Sequence, residues 1–326
     1  MNVAAILDSV EMGIIFAIMA LGVYITFRVL NFPDLTVDGS FVTGAAVTAV
    51  LLVQGVSPLV ASITSLFAGF VAGLCTGILH TKGKINALLS GILMMIALYS
   101  INLRIMGLTL ENEVSRPNIP LLNAETFIIQ LEGFAGRFGL ATFGLLFSLA
   151  LITFIFKLFT DYFLKTEIGL AVRATGNNPQ MIRSFSASTD NMIILGVAIS
   201  NAFVAFSGSL LAQYHGFADV NMGTGMIVVG LASIIIGETI FGKKTIFRAT
   251  LAVIFGAILY RIIISLALST GILDASDQKL ITALLVILAL VGPHMMEKYR
   301  EKNRYQMRQK EWLQTRTAAK GEKTSA

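Results

Sequence analysis

Apolar residues in this chain fall in long, nearly unbroken blocks separated by short polar stretches. Seven blocks, at about residues 10–30, 57–80, 85–106, 138–160, 190–213, 246–268 and 279–295, are long enough to cross a membrane. A helix needs roughly 20 apolar residues to span about 30 Å of hydrocarbon. Two further blocks, 38–54 and 224–241, are shorter and Gly-rich, and read as interrupted helices. The pattern predicts an all-α, polytopic membrane protein with about nine membrane segments. Two polar stretches are too long for simple connections: 107–137, "GLTLENEVSRPNIPLLNAETF" and its flanks, and 161–189, "DYFLKTEIGLAVRATGNNPQMIRSFSAST". Residues 1–296 then form one membrane domain, and 297–326 a polar, net basic tail. The tail reads as solvated, with anionic lipid headgroups as its other possible neighbour.

Composition supports this division. Of 326 residues, 55% are hydrophobic and only 13% charged, where a soluble domain carries about 25% charged residues. The mean hydropathy is +0.78. Cys75 is the sole cysteine and sits in an apolar run, so it reads as a packing residue and disulfides do not staple the fold. His80, His215 and His294 show no metal-ligand spacing. Asp8 and Glu11 precede the first block and no basic n-region does, so the first span reads as its own targeting signal.

Basic residues set the orientation. With the C-terminus inside, alternation puts 19 of the 24 Lys and Arg on the inner side, leaving Arg104, Arg116, Arg137 and Lys279 outside and Arg261 within a span. The expected topology is N-out, C-in, with 107–137 outside and 161–189 inside.

One polar stretch recurs. "LNFPDLTVDGSFV" at 30–42 aligns with "HGFADVNMGTGMI" at 215–227, at a constant offset of 185 residues. Phe32 matches Phe217, Asp34 matches Asp219, and Thr36 matches Asn221. Each copy follows a long span and precedes a short one, on opposite sides in the expected topology, which is the plan of an inverted repeat. Pro33 lacks an N–H and disfavours helix at Asn31–Phe32, and Asp34 or Thr36 can cap the helix that follows. Gly39 and Gly44 permit close helix contact or a break. Irregular backbone at membrane depth is tolerated beside protein or a water-filled cavity, so the stretch reads as bordering a pathway. For Asp34 a cap-and-turn role stands beside a pathway role. Asp38 lies one turn deeper, where an acid is costly and a functional role is expected. Arg261, in "AILYRIIISL", lies too far from its span's ends to snorkel fully. It requires either a carboxylate partner such as Asp38 or Glu238, or an anionic substrate group.

The 161–189 stretch contains "EIGLAVRATGNNPQMIRSF". Asn178–Pro179 is an N-cap and N1 pair that opens a second short helix. The two helices would form a knob carrying Arg173 and Arg183, suited to a cytosolic partner. Through Gly169, Arg173, Ala174, Gly176, Asn178 and Pro179, this segment resembles the ATPase-coupling loop of ABC importer permeases of the branched-chain amino acid and ribose type. "KGKINALLSGILMM" at 82–95, which contains Asn86, "NFPDLTVDGSF" and "GLASIIIGETIFG" at 230–242 are also similar to those families, and "TVDGSF" is nearest an amino-acid-type branch. The resemblance covers residues 13–295.

The resemblance implies a permease subunit of the bacterial inner membrane, moving an amino acid or related metabolite by alternating access. Its implied partners are a second permease copy as a homodimer, two cytosolic ATPases and an extracytoplasmic binding protein, with no nucleic acid. "GETIFGKK" is not a P-loop, so ATP and Mg belong to the ATPase, and this chain is neither an enzyme nor a cofactor binder. The candidate pathway residues are Asn31, Phe32, Asp34, Thr36, Asp38, Asn86, Phe217, Asp219, Asn221 and Arg261. The candidate coupling residues are Gly169, Arg173, Gly176, Asn178, Pro179 and Arg183. The competing reading is a secondary transporter with Asp34, Asp38 and Asp219 as proton or sodium sites, which leaves the knob unexplained. An intramembrane enzyme finds no support in any His-Glu-x-x-His or Ser/His pair. Cysteines introduced at Asn118 and Asn123 are expected to label with an impermeant thiol reagent from outside; labelling only after lysis would contradict the topology.

Overall fold

The computed structural model describes residues 3–108, 116–121, 124–131, 143–184, 188–269, 280–287 and 291. Helix α1 (Val3–Tyr24) runs into one π-helical turn, Ile25–Val29. After an irregular segment come α2 (Thr36–Val53), α3 (Pro58–Thr81) and α4 (Ala87–Gly107). A short strand β1 (Asn118–Pro120) precedes α5 (Gly144–Phe163), the two short helices α6 (Glu167–Asn177) and α7 (Pro179–Ser184), and the long α8 (Thr189–His215). Strand β2 (Phe217–Asp219), α9 (Met226–Phe241) and α10 (Ile246–Ser269) follow. Seven helices are long and apolar enough to cross a membrane among the described residues, and α9 is apolar but shorter. The chain is therefore an all-α polytopic membrane protein. Of the span expected at 279–295, residues 280–287 and 291 are described and are helical. The tail, His294, Arg137 and Lys279 lie outside the described residues, as do 109–115, 122–123 and 132–137.

Burial sorts the spans. The apolar stretches of α1, α2 and α8 are 78, 78 and 83% buried inside the protein, against 28–39% for the other four. So α8 is the central post, with α1, α2 and α3 packed around it and the α9–α10 pair against α1. The peripheral helices turn side chains such as Phe67, Phe147 and Ile155 outward, where lipid replaces protein as their apolar surroundings.

The two short segments are each unbroken. The interruption lies ahead of each, at 30–35 and 216–225, because Pro33 and the left-handed Gly216 and Gly225 (φ +73° and +84°) end one helix before the next begins. At about 24 Å for its 16 residues, α9 is too short to cross by itself and needs the preceding irregular segment to complete the passage.

Small residues let the central helices approach. A Cβ on Gly44 of α2 would stand 1.8 Å from the Ala205 carbonyl oxygen of α8. Gly44→Leu is expected to push these helices apart and cost most of the folded yield, read by size-exclusion and thermal melting in detergent. Phe67→Leu on the outward face, with Phe67 62% exposed, should leave both near wild type.

Candidate functional site

The first discontinuity is built by its own hydrogen bonds. Leu30 N donates to Ile25 O and Phe32 N to Thr26 O, each at 2.9 Å, closing the π turn. Asn31 then takes φ +52°, a left-handed conformation that asparagine tolerates better than most residues, and projects outward. Phe32 is buried edge-on against His80, at 5.1 Å between centroids. Asp34 is fully buried. Its Oδ1 accepts from Thr36 N at 2.9 Å and its Oδ2 from Asn201 Nδ2 of α8 at 2.7 Å. The hydroxyl of Thr36 meets that of Thr76 at 2.8 Å. Asp34 thus turns the chain, starts α2 and moors it to the central post.

The second discontinuity repeats the turn. Asp219 Oδ1 accepts from Asn221 N at 2.7 Å, the same two-residue step that Asp34 makes. Its surroundings differ: Phe217–Asp219 pairs antiparallel with Asn118–Pro120, and Asn118 Nδ2 donates to Asp219 Oδ2 at 3.3 Å. Asp34 sits in the helix core, whereas Asp219 is partly exposed beside the 107–137 stretch.

Asp38 joins the halves. From the first turn of α2 its Oδ2 accepts from Gly225 N and its Oδ1 from Ile227 N, both at 2.8 Å. The first amides of a helix have no intrahelical acceptor, and the positive end of the helix dipole favours an anion. Asp38 therefore caps α9 from another helix.

Two cavities flank the 220–225 segment, and Thr224 borders both. One, of about 490 Å³, is lined by Arg261, Tyr260, His215, Phe217 and Asn221 among others. The His215 and Phe217 rings stack there at 5.6 Å. The other, of about 310 Å³, is lined by Asp38, Tyr99, Asn102 and Thr224 with apolar Val42, Met95 and Ile96. Arg261 stands over the Phe16 ring at 5.2 Å and reaches the Met12 sulfur. The expected Arg261 pairings with Asp38 or Glu238 do not form: Asp38 is engaged by α9, and Glu238 pairs with Arg28 of the π turn. What the guanidinium offers is a positive charge on an otherwise mainly apolar wall, where a carboxylate would be held strongly.

Phe217, Asn221 and Arg261 thus converge on one cavity and Asp38 borders the other. Asn31, Phe32, Asp34, Thr36 and Asp219 shape the two discontinuities. Asn86 lies apart: it is exposed and caps α4 by accepting from Leu88 N at 3.0 Å. Two features were not anticipated. Asn102 and Asn201 are fully buried amides inside apolar spans, and their polarity in such runs was the signal available. Lys157, one of the 19 basic residues assigned to the inner side, is fully buried, paired with Asp161 at 2.5 Å and over the Phe247 ring. Thr250 of α10 donates to the same aspartate at 2.7 Å.

The 161–189 stretch forms two short helices as expected. Thr166 caps α6 by accepting from Gly169 N at 3.1 Å, and Asn178 accepts from Met181 N at 3.1 Å at the start of α7. Gly169 abuts the end of α5: its Cβ would stand 1.9 Å from Phe163 O. A Cβ on Gly176 would stand 2.0 Å from Val29 O, so α6 rests directly on the entry to the first discontinuity. Arg183 Nε donates to Thr189 Oγ1 at 3.1 Å, tying α7 to α8, while Arg173 is half-buried.

Residues 5–290 match the model of a family described as the permease component of branched-chain amino acid transport systems. The chain belongs to that permease family. A tyrosine transport system permease protein of Clostridioides difficile (strain R20291) is 45% identical over 88% of this chain and 90% of its own length. An uncharacterized protein of Rickettsia prowazekii (strain Madrid E) is 34% identical over 87% and 96%. The autoinducer 2 import system permease protein of Escherichia coli O9:H4 (strain HS) is more distant, 26% identical over 68% and 60%. No solved structure matches the chain. The permease is a transport subunit of the bacterial inner membrane, which it crosses several times.

Proposed function

We propose that this permease is the membrane subunit of an ATP-driven importer, paired with a second copy of itself, two cytosolic ATPases carrying ATP and Mg, and an extracytoplasmic binding protein. Alternating access moves an amino acid or related metabolite, with 161–189 facing the cytosol and 107–137 facing outside. The observation that carries this reading is the seat of α6 on Val29–Leu30. Leu30 and Val172 of α6 both border Gly196 of α8, so a push on the knob reaches the discontinuity without a slack joint. Exposed Ile168, Leu170 and Met181 give the knob an apolar outer surface for an ATPase to grip. Gly169, Arg173, Gly176, Asn178, Pro179 and Arg183 form and present it.

Docking of the binding protein on 107–137 would act on the second discontinuity through the β1–β2 pair. The name of the 45% identical relative makes tyrosine the first solute to test. In the 490 Å³ cavity Arg261 would meet its carboxylate. Asp34 and Asp219 hold turns, which disfavours them as ion-coupling sites. Arg173→Glu is expected to leave the complex assembled and ATP hydrolysis running, while uptake into proteoliposomes falls at least tenfold. Normal uptake in that variant would move the ATPase contact elsewhere.

A further inference from the structure

The wall of the cavity beside Asp38 includes an acceptor with no donor among the described residues. Asn102 is fully buried, and its Nδ2 donates to Gly39 O at 3.2 Å, while its Oδ1 has no hydrogen-bond partner among them. Turning the amide over would set two acceptors against each other, so the Gly39 bond fixes which atom is left unpaired. Buried polar groups are almost always satisfied, and an exception at a cavity wall marks a place for something with a donor.

The rest of the lining has the same preference. The Asp38 carboxylate is held by backbone amides at the start of α9, and its roughly four lone-pair sites leave room for a further donor. Tyr99, whose aromatic ring can attract a cation, also lines the cavity. Among the described residues, no Lys, Arg or His lines this cavity.

We infer that this cavity receives the ammonium group of the transported solute, held between the Asp38 carboxylate and Asn102 Oδ1, at a different step of passage from the one in which Arg261 meets the carboxylate, because the two charged groups of an amino acid share one carbon and cannot lie in both cavities at once; the identification of the cation with the solute rests on the transport reading above. A bare metal ion is the other source of positive charge. Hard cations gather about six or more oxygen ligands, however, and among the described residues this lining offers side-chain oxygens only from Asp38, Tyr99, Asn102 and Thr224. The cavity's 310 Å³ suits an organic cation with an apolar body.

The test uses the full chain in membrane vesicles, in a Cys75→Ser background with Met95→Cys on the cavity wall. The cationic reagent 2-aminoethyl methanethiosulfonate should modify this cysteine at least tenfold faster than the anionic 2-sulfonatoethyl reagent, after normalisation to an exposed control cysteine. Asn102→Leu should cut that ratio severalfold. If that variant fails to insert, Asn102→Asp should raise the ratio. L-Tyrosine should slow the cationic reagent, whereas 3-(4-hydroxyphenyl)propionate, which lacks the amine, should not. Equal rates for the two reagents, or an unchanged ratio in Asn102→Leu, would overturn the site. Protection by sodium over potassium at constant ionic strength would overturn it in favour of a metal ion. Protection by neither tyrosine nor any other zwitterionic amino acid would overturn the assignment to solute. Failure of ATP-driven uptake in the reconstituted complex would defeat the transport reading while leaving the reagent ratio to be read.

Discussion

A carboxylate on one helix capping the first turn of another is the constraint on which this permease's arrangement depends. Without Asp38, the amides of Gly225 and Ile227 would sit at membrane depth with no acceptor, where each unmet group is costly. The interaction also joins the two halves: α2 follows the first discontinuity and α9 the second. It acts between cavities, because the 220–225 segment that it holds is the wall separating them. A shift of either short helix therefore changes the shape of both cavities together.

The two discontinuities use the same local device in different settings. Asp34 and Asp219 each bond the amide two residues on. The first is moored to α8 through Asn201 and is pressed by α6. The second is paired with a strand from the 107–137 stretch. Each weak point in the membrane domain is thus gripped by one of the two long hydrophilic stretches. Arg28 and Glu238 add an ion pair between the π turn and the last turn of α9. Motion applied at either stretch has a short, packed route to the same wall.

Much of this was legible in the sequence because membrane helices are written in blocks. Six of the seven long spans lie within about six residues of where the apolar runs placed them, and the second helix of the knob starts at the expected Asn178 cap. The 185-residue offset identified both turns before their geometry was known. What the sequence concealed was partnership. Asp38 and Arg261 looked like natural mates because each is an isolated charge in an apolar run. Yet backbone amides at a helix start compete for a carboxylate as well as a guanidinium does, and no residue type marks that competition. Lys157 was hidden for a related reason: its ion pair with Asp161 is local, but its burial depends on α10. Of the two roles open to Gly44, close contact or a break, it serves close packing, and the helix expected to be interrupted runs unbroken.

Hydrogen–deuterium exchange of the segment 220–228, compared between wild type and Asp38→Ala, tests the clamp most directly. If Asp38 holds α9, exchange there should rise at least tenfold, a change of about 1.4 kcal/mol in local opening, while the central part of α8 stays protected. Unchanged exchange across 220–228 in the variant would contradict the clamp and the coupling of the two halves that rests on it.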